Sequence, residues 1–101
     1  MTTIKYYRES CCAADDYVNC NQTITMPDNA TLSDLVHYIL HTHFGNYSFI
    51  PYTGGGSLWV LTSNAGNLAT VSDDQERIIY NNFAPTTPLK DIGVKEIYAR
   101  R

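Results

Sequence analysis

Residues 27–45 read PDNATLSDLVHYILHTHFG. Leu32, Leu35, Val36, Ile39 and Leu40 recur at i, i+3, i+4, i+7 and i+8, which sets five apolar side chains on one stripe of an α-helix. Thr31 stands at the N-cap position. Asp34, three residues on, can return a bond to the start of the helix, an Asp version of the capping box. Gly45 is able to take the left-handed conformation that closes a helix. The stretch therefore predicts one main helix over residues 31–44. No other segment carries a comparable helical period, so this stripe must bury itself against a different kind of element.

The flanks supply it. Upstream, TIKYYR is β-branched and aromatic and reads as a first strand, with Ile4 and Tyr6 on one face and Lys5 and Tyr7 on the other. Residues 10–19 carry an acidic pair, Asp15-Asp16, and read as the turn. CNQTITM (20–26) alternates, Ile24 and Met26 inward and Thr23 and Thr25 outward, until Pro27 stops it. Downstream, NYSFIPYTGGGS (46–57) is an aromatic connection closed by three glycines, which imply a mobile loop or a very tight backbone approach. SLWVLTS (57–63) and NLATVS (67–72) flank an Asn64-Ala65-Gly66-Asn67 turn and read as a second hairpin. Within it either Leu58 and Val60 or Trp59 and Leu61 face the helix. The first pair matches the helix stripe better in shape, which turns Trp59 outward. Ile78-Ile79-Tyr80 fits an extra strand or a piece of loop. Pro88 to Gly93 reads as one helical turn ended by glycine, and VKEIYA (94–99) as the last strand.

The order strand, strand, long helix, strand, strand, short turn, strand resembles the ubiquitin-like β-grasp family. Two motifs add to the likeness: the helix opening Pro27-Asp28-x-x-Thr31-Leu32-x-Asp34-Leu35, and the Leu89-x-Asp91-x-Gly93 turn before the terminal strand. In that family an equivalent T-x-x-[DE]-[LV] opens the helix and L-x-[DE] precedes the last strand. The chain is most similar to small stand-alone bacterial members, typified by the ubiquitin-like component of type VII secretion loci. It departs from them in its long glycine-rich 45–57 connection and its expanded 73–87 segment. The resemblance implies an α+β, β-grasp domain over residues 1–101, with a mixed sheet of four to five strands packed on one main helix. It also implies a protein-interaction role exercised through the open face of the sheet.

Composition bounds the function further. At 101 residues with 44% hydrophobic content the chain is long enough for one self-supporting core. A net charge of −3 argues against a partner bound by phosphate neutralisation, so no nucleic acid is expected. No secretory leader and no apolar run of about 20 residues is present, so the reading is cytoplasmic, without membrane insertion. The ending Tyr98-Ala99-Arg100-Arg101 lacks the Gly-Gly that conjugation of a ubiquitin-like tail requires, and conjugation is not expected.

Candidate chemistry is sparse. His37 and His41, at i and i+4, could converge on a metal, but they lie off the apolar stripe and no spacing supplies further ligands. A solvated helix face is the expectation, and His43 near the helix end suits the dipole. Cys11, Cys12 and Cys20 form neither CxxC nor a zinc spacing and read as free thiols. Residues 53–57 (TGGGS) precede a strand rather than a helix, unlike a phosphate loop. Residues 73–76 (DDQE) lack the spacing of a calcium loop. No catalytic set and no cofactor is expected. The expected function is a non-enzymatic protein–protein interaction module, with Tyr47, Tyr52 and Trp59 as candidate binding residues. An unpaired sheet edge gives a route to weak self-association. The alternative is a small metal-binding or enzymatic protein using His37, His41 and a cysteine.

Overall fold

The protein is described by a computed structural model covering residues 1–8, 21–44, 47–50, 54 and 56–101. The first hairpin forms as its alternation requires. Strand β1 (Thr2–Arg8) pairs antiparallel with β2 (Asn21–Met26), Ile4 opposite Ile24 and Thr2 opposite Met26. Ile4, Tyr6, Ile24 and Met26 are buried, and Lys5, Thr23 and Thr25 face solvent. The Tyr6 ring would bury its hydroxyl unmet, but the hydroxyl donates to the Phe49 carbonyl at 2.7 Å, and the two rings meet edge to face.

Helix α1 (Leu32–His41) starts where its capping signal places it. Thr31 Oγ1 accepts from the Asp34 amide at 3.3 Å, and Asp34 Oδ2 accepts from the Thr31 amide at 3.0 Å. The Leu32 and Ser33 amides donate outward to the Thr87 and Pro85 carbonyls, so the opening donors of the helix are all met. Leu32, Leu35, Val36, Ile39 and Leu40 are buried in one core with the inward residues of the sheet.

The helix end corrects the expected boundary. It stops at His41 rather than at 44, because Thr42 is extended (φ −95°, ψ 131°). A β-branched residue there loses little by leaving the helix. The Leu40 carbonyl is met instead by Gln75 Nε2 at 2.7 Å, a side chain far along the sequence. The chain then runs into a short antiparallel pair, β3 (His43–Phe44) and β4 (Tyr47–Ser48). Gly45, the expected cap, lies outside the described residues, as do residues 9–20 with the three cysteines and the Asp15-Asp16 pair, and Tyr52.

Strands β5 (Leu58–Ser63) and β6 (Gly66–Ser72) make the second hairpin around Asn64-Ala65, with Gly66 at φ +112°, where a side chain would be strained. A bulge lets Leu61 face Ala69 while Thr62 faces Asn67, so Leu68 and Ala69 are both buried in succession. Residues 78–80 settle as a strand, β7 (Ile78–Tyr80), paired with β6. After the short helix α2 (Leu89–Ile92), closed by Gly93 at φ +78°, comes β8 (Glu96–Arg100). This last strand lies parallel to β1 on one side and antiparallel to β5 on the other. The sheet order is β2-β1-β8-β5-β6-β7, six strands of mixed direction rather than the four to five expected. The chain is thus α+β, and no helix among the described residues is long and apolar enough to cross a membrane.

Asn64 ties the β5–β6 turn to the entry of β8. Its Nδ2 donates to the Gly93 carbonyl at 2.9 Å, and its Oδ1 accepts from the Lys95 and Glu96 amides at 2.8 and 3.2 Å.

The orientation of β5 corrects the second expectation. Trp59 is 0% exposed and faces the core with Leu61, while Leu58 and Val60 face away from it. The reason lies across the ladder. Leu61 sits between Ala69 and Ala99, and Trp59 opposite Val71, all apolar, whereas Leu58 stands opposite Ser72 and Val60 between Thr70 and Arg100. The Arg101 guanidinium lies 5.5 Å from the indole centroid, within cation–π range.

Candidate functional site

The sheet has one face under α1; among the described residues no helix lies on the other, and strand parity decides what that second face presents. Val60 stands opposite Thr70 on one side and Arg100 on the other, and Thr70 stands opposite Ile79. Leu58 follows two residues along the same strand face. One turn of the register away, Tyr98 stands beside Tyr7 on β1 and Thr62 on β5. Tyr7, Tyr98, Thr62 and Glu96, with Ser63 and Asn64, line an open depression of about 250 Å³.

Exposure singles out this face. Among the described residues the exposed large hydrophobics are Met1, Leu58 at 46%, Ile79 at 53% and Tyr98 at 47%. Three of these four lie on the helix-free face, where they join the part-exposed Val60 and Tyr7. Scattered apolar residues are ordinary on a surface; here Leu58 and Val60 on β5, Ile79 on β7 and Tyr98 on β8 share one sheet face, with Thr70 between Val60 and Ile79. Its polar members, Lys5 opposite Glu96 and Arg100 beside Val60, rim it with both signs of charge.

Of the residues singled out in the sequence, Trp59 is in the core and takes no part in this surface in the described conformation. Tyr47 contributes backbone to β4, and Tyr52 lies outside the described residues. Leu58, Val60, Ile79, Tyr7 and Tyr98 went unrecognised. The alternation of β1 already turned Tyr7 away from Ile4 and Tyr6, and the same parity in VKEIYA turns Tyr98 away from Ile97. Nothing local could choose the parity of β5.

The acidic turn after β6 closes on itself. The Ser72 hydroxyl donates to Asp74 Oδ1 at 2.6 Å and the Glu76 amide donates to the same oxygen at 3.0 Å. The Ser72 bond first, and the Glu76 amide second, hold the Asp74 carboxyl below the usual carboxylate range. This arrangement is a turn lock, and it lets Gln75, at φ +68°, reach back to α1.

His37 and His41 are exposed on α1 with rings stacked at 5.9 Å between centroids, 28° from parallel. His37 Nδ1 lies 2.7 Å from the Ser33 carbonyl. No group of three or more His, Cys, Asp or Glu side chains gathers among the described residues. No known protein family, curated protein or solved structure matches this chain.

Proposed function

We propose that the chain is a ubiquitin-like, β-grasp interaction module, without catalytic activity, that docks a protein partner on the helix-free face of its sheet. The strand order supports the fold reading. Two antiparallel hairpin units are joined through a last strand that lies parallel to the first, and one helix covers one face. That arrangement is similar to the β-grasp plan, with β7 as an added edge strand. The observation that carries the docking reading is the patch of Leu58, Val60, Ile79 and Tyr98. Exposed apolar side chains gathered on one sheet face cost solvation until a partner covers them, and Tyr is favoured as an interface anchor.

A photo-crosslinking residue placed at Ile79, compared with one at the exposed Lys90 on α2, tests this reading in cells. Adducts of discrete mass from position 79 alone, abolished by Leu58→Asp or Tyr98→Ala in a folded variant, are expected. Equal labelling from both positions, or none from position 79, would remove the patch as a docking surface. Tyr98→Ala is expected to weaken the captured complex by about 2 kcal/mol. A weaker self-association belongs to the edge strand β2, whose run Gln22 to Met26 carries no charge and no proline to blunt it.

A further inference from the structure

We infer that His37 and His41 form a two-point chelate for a borderline divalent transition metal on the exposed face of α1, a site separate from the sheet face and independent of the docking reading. Two observations carry it. The first is placement: the i, i+4 spacing on a regular helix stacks the rings at 5.9 Å on the solvent side. The second is the state of the His37 ring. A backbone carbonyl only accepts, so the 2.7 Å contact with the Ser33 carbonyl calls for a hydrogen on Nδ1, and the neutral tautomer that satisfies it carries its lone pair on Nε2. A metal-binding histidine is commonly oriented in this way, its other nitrogen donating to a carbonyl. His37 is therefore held ready as a ligand before any metal arrives.

His41 makes no hydrogen bond among the described residues, so its exposed ring is free to turn and bring a second nitrogen to the same ion. The distance required is about 2.0–2.1 Å from each nitrogen. Two imidazole donors with no thiolate suit Ni(II), Cu(II) or Zn(II) rather than Ca(II) or Mg(II). With no third ligand gathered among the described residues, water holds the remaining positions. Each imidazole displaces one water from the hydrated ion, with no change of oxidation state. The ion then joins two successive turns of α1 and stabilises the folded chain by linkage.

The probe is Ni(II), because the chain's three thiols would reduce Cu(II) and compete for Zn(II). Untagged protein stripped with a chelator is titrated with Ni(II) alone, and amide signals are followed by NMR. The expected result is one ion per chain with paramagnetic broadening centred on residues 37–41. His37→Ala and His41→Ala should each weaken binding about tenfold or more, since a lone imidazole loses the chelate advantage. Both side chains are exposed, so both variants should keep the parent circular dichroism. Broadening centred on residues 11–20, unchanged affinity in the double variant, or no binding at millimolar Ni(II) would each overturn the assignment.

Discussion

Trp59 shows how one residue can be misread from its own neighbourhood. Leu58 and Val60 resemble the helix stripe in shape, yet the ladder partners Ala69, Ala99 and Val71 are the apolar ones and lie beside Leu61 and Trp59. Those partners are known only once β5 is paired, so the parity of this strand was not legible locally. That of β1 was, because Ile4 and Tyr6 alternate with polar positions. Trp59→Ala is expected to cost about 3–5 kcal/mol, a loss of core volume, and a urea melt reads it directly. A midpoint unchanged from the parent would return the indole to the surface. Asp74 gives a residue-scale prediction of a different kind. Its folded-state carboxyl titrates below the ordinary range, so its bonds to Ser72 and Glu76 contribute stability at neutral pH. The contribution is complete above the unfolded-state value near 3.8 and is lost as pH falls through the depressed native one. Asp74→Asn should therefore flatten the acid limb of stability against pH, slightly, because the group is solvent-screened. Parallel acid limbs for variant and parent would refute this.

At the scale of the element, α1 was legible at its start and not at its end. The Thr31 and Asp34 exchange is local, and its residues lie three apart. The C-terminal carbonyl is served by Gln75 from beyond β6, a partner that no window of sequence around Gly45 contains. The strand β7 was ambiguous for a similar reason: three apolar residues form a strand only because β6 offers an edge. The stripe itself was fully legible, and it makes a firm prediction. Leu35→Ala or Ile39→Ala should each cost about 2–5 kcal/mol by leaving a cavity beneath the helix, against little change for the exposed His41→Ala. Urea midpoints for the core variants within error of the His41→Ala control would mean that the helix does not carry the core. The patch on the sheet was illegible as a patch, since Leu58, Ile79 and Tyr98 come onto one face only through pairing order.

At the scale of the whole molecule, the strand nearest the end of the sequence is the one nearest the middle of the sheet. β8 alone joins the β1–β2 hairpin to the β5–β6–β7 unit, and its entry is latched by the three bonds of Asn64 to Gly93, Lys95 and Glu96. A strand in that position is a removable key. When it withdraws, β1 and β5 each present an open ladder that fits only β8, and the β8 of a second copy fits as well as the native one. Domain-swapped dimers, hinged at Gly93–Lys95, are the expected product when concentrated protein is held near its urea midpoint and then returned to buffer. Asn64→Ala should lower stability by about 1–2 kcal/mol and raise the swapped fraction seen by size exclusion, because the hinge then opens more often. If the variant yields no more dimer than the parent at equal concentration, β8 leaves the sheet only when the whole chain unfolds.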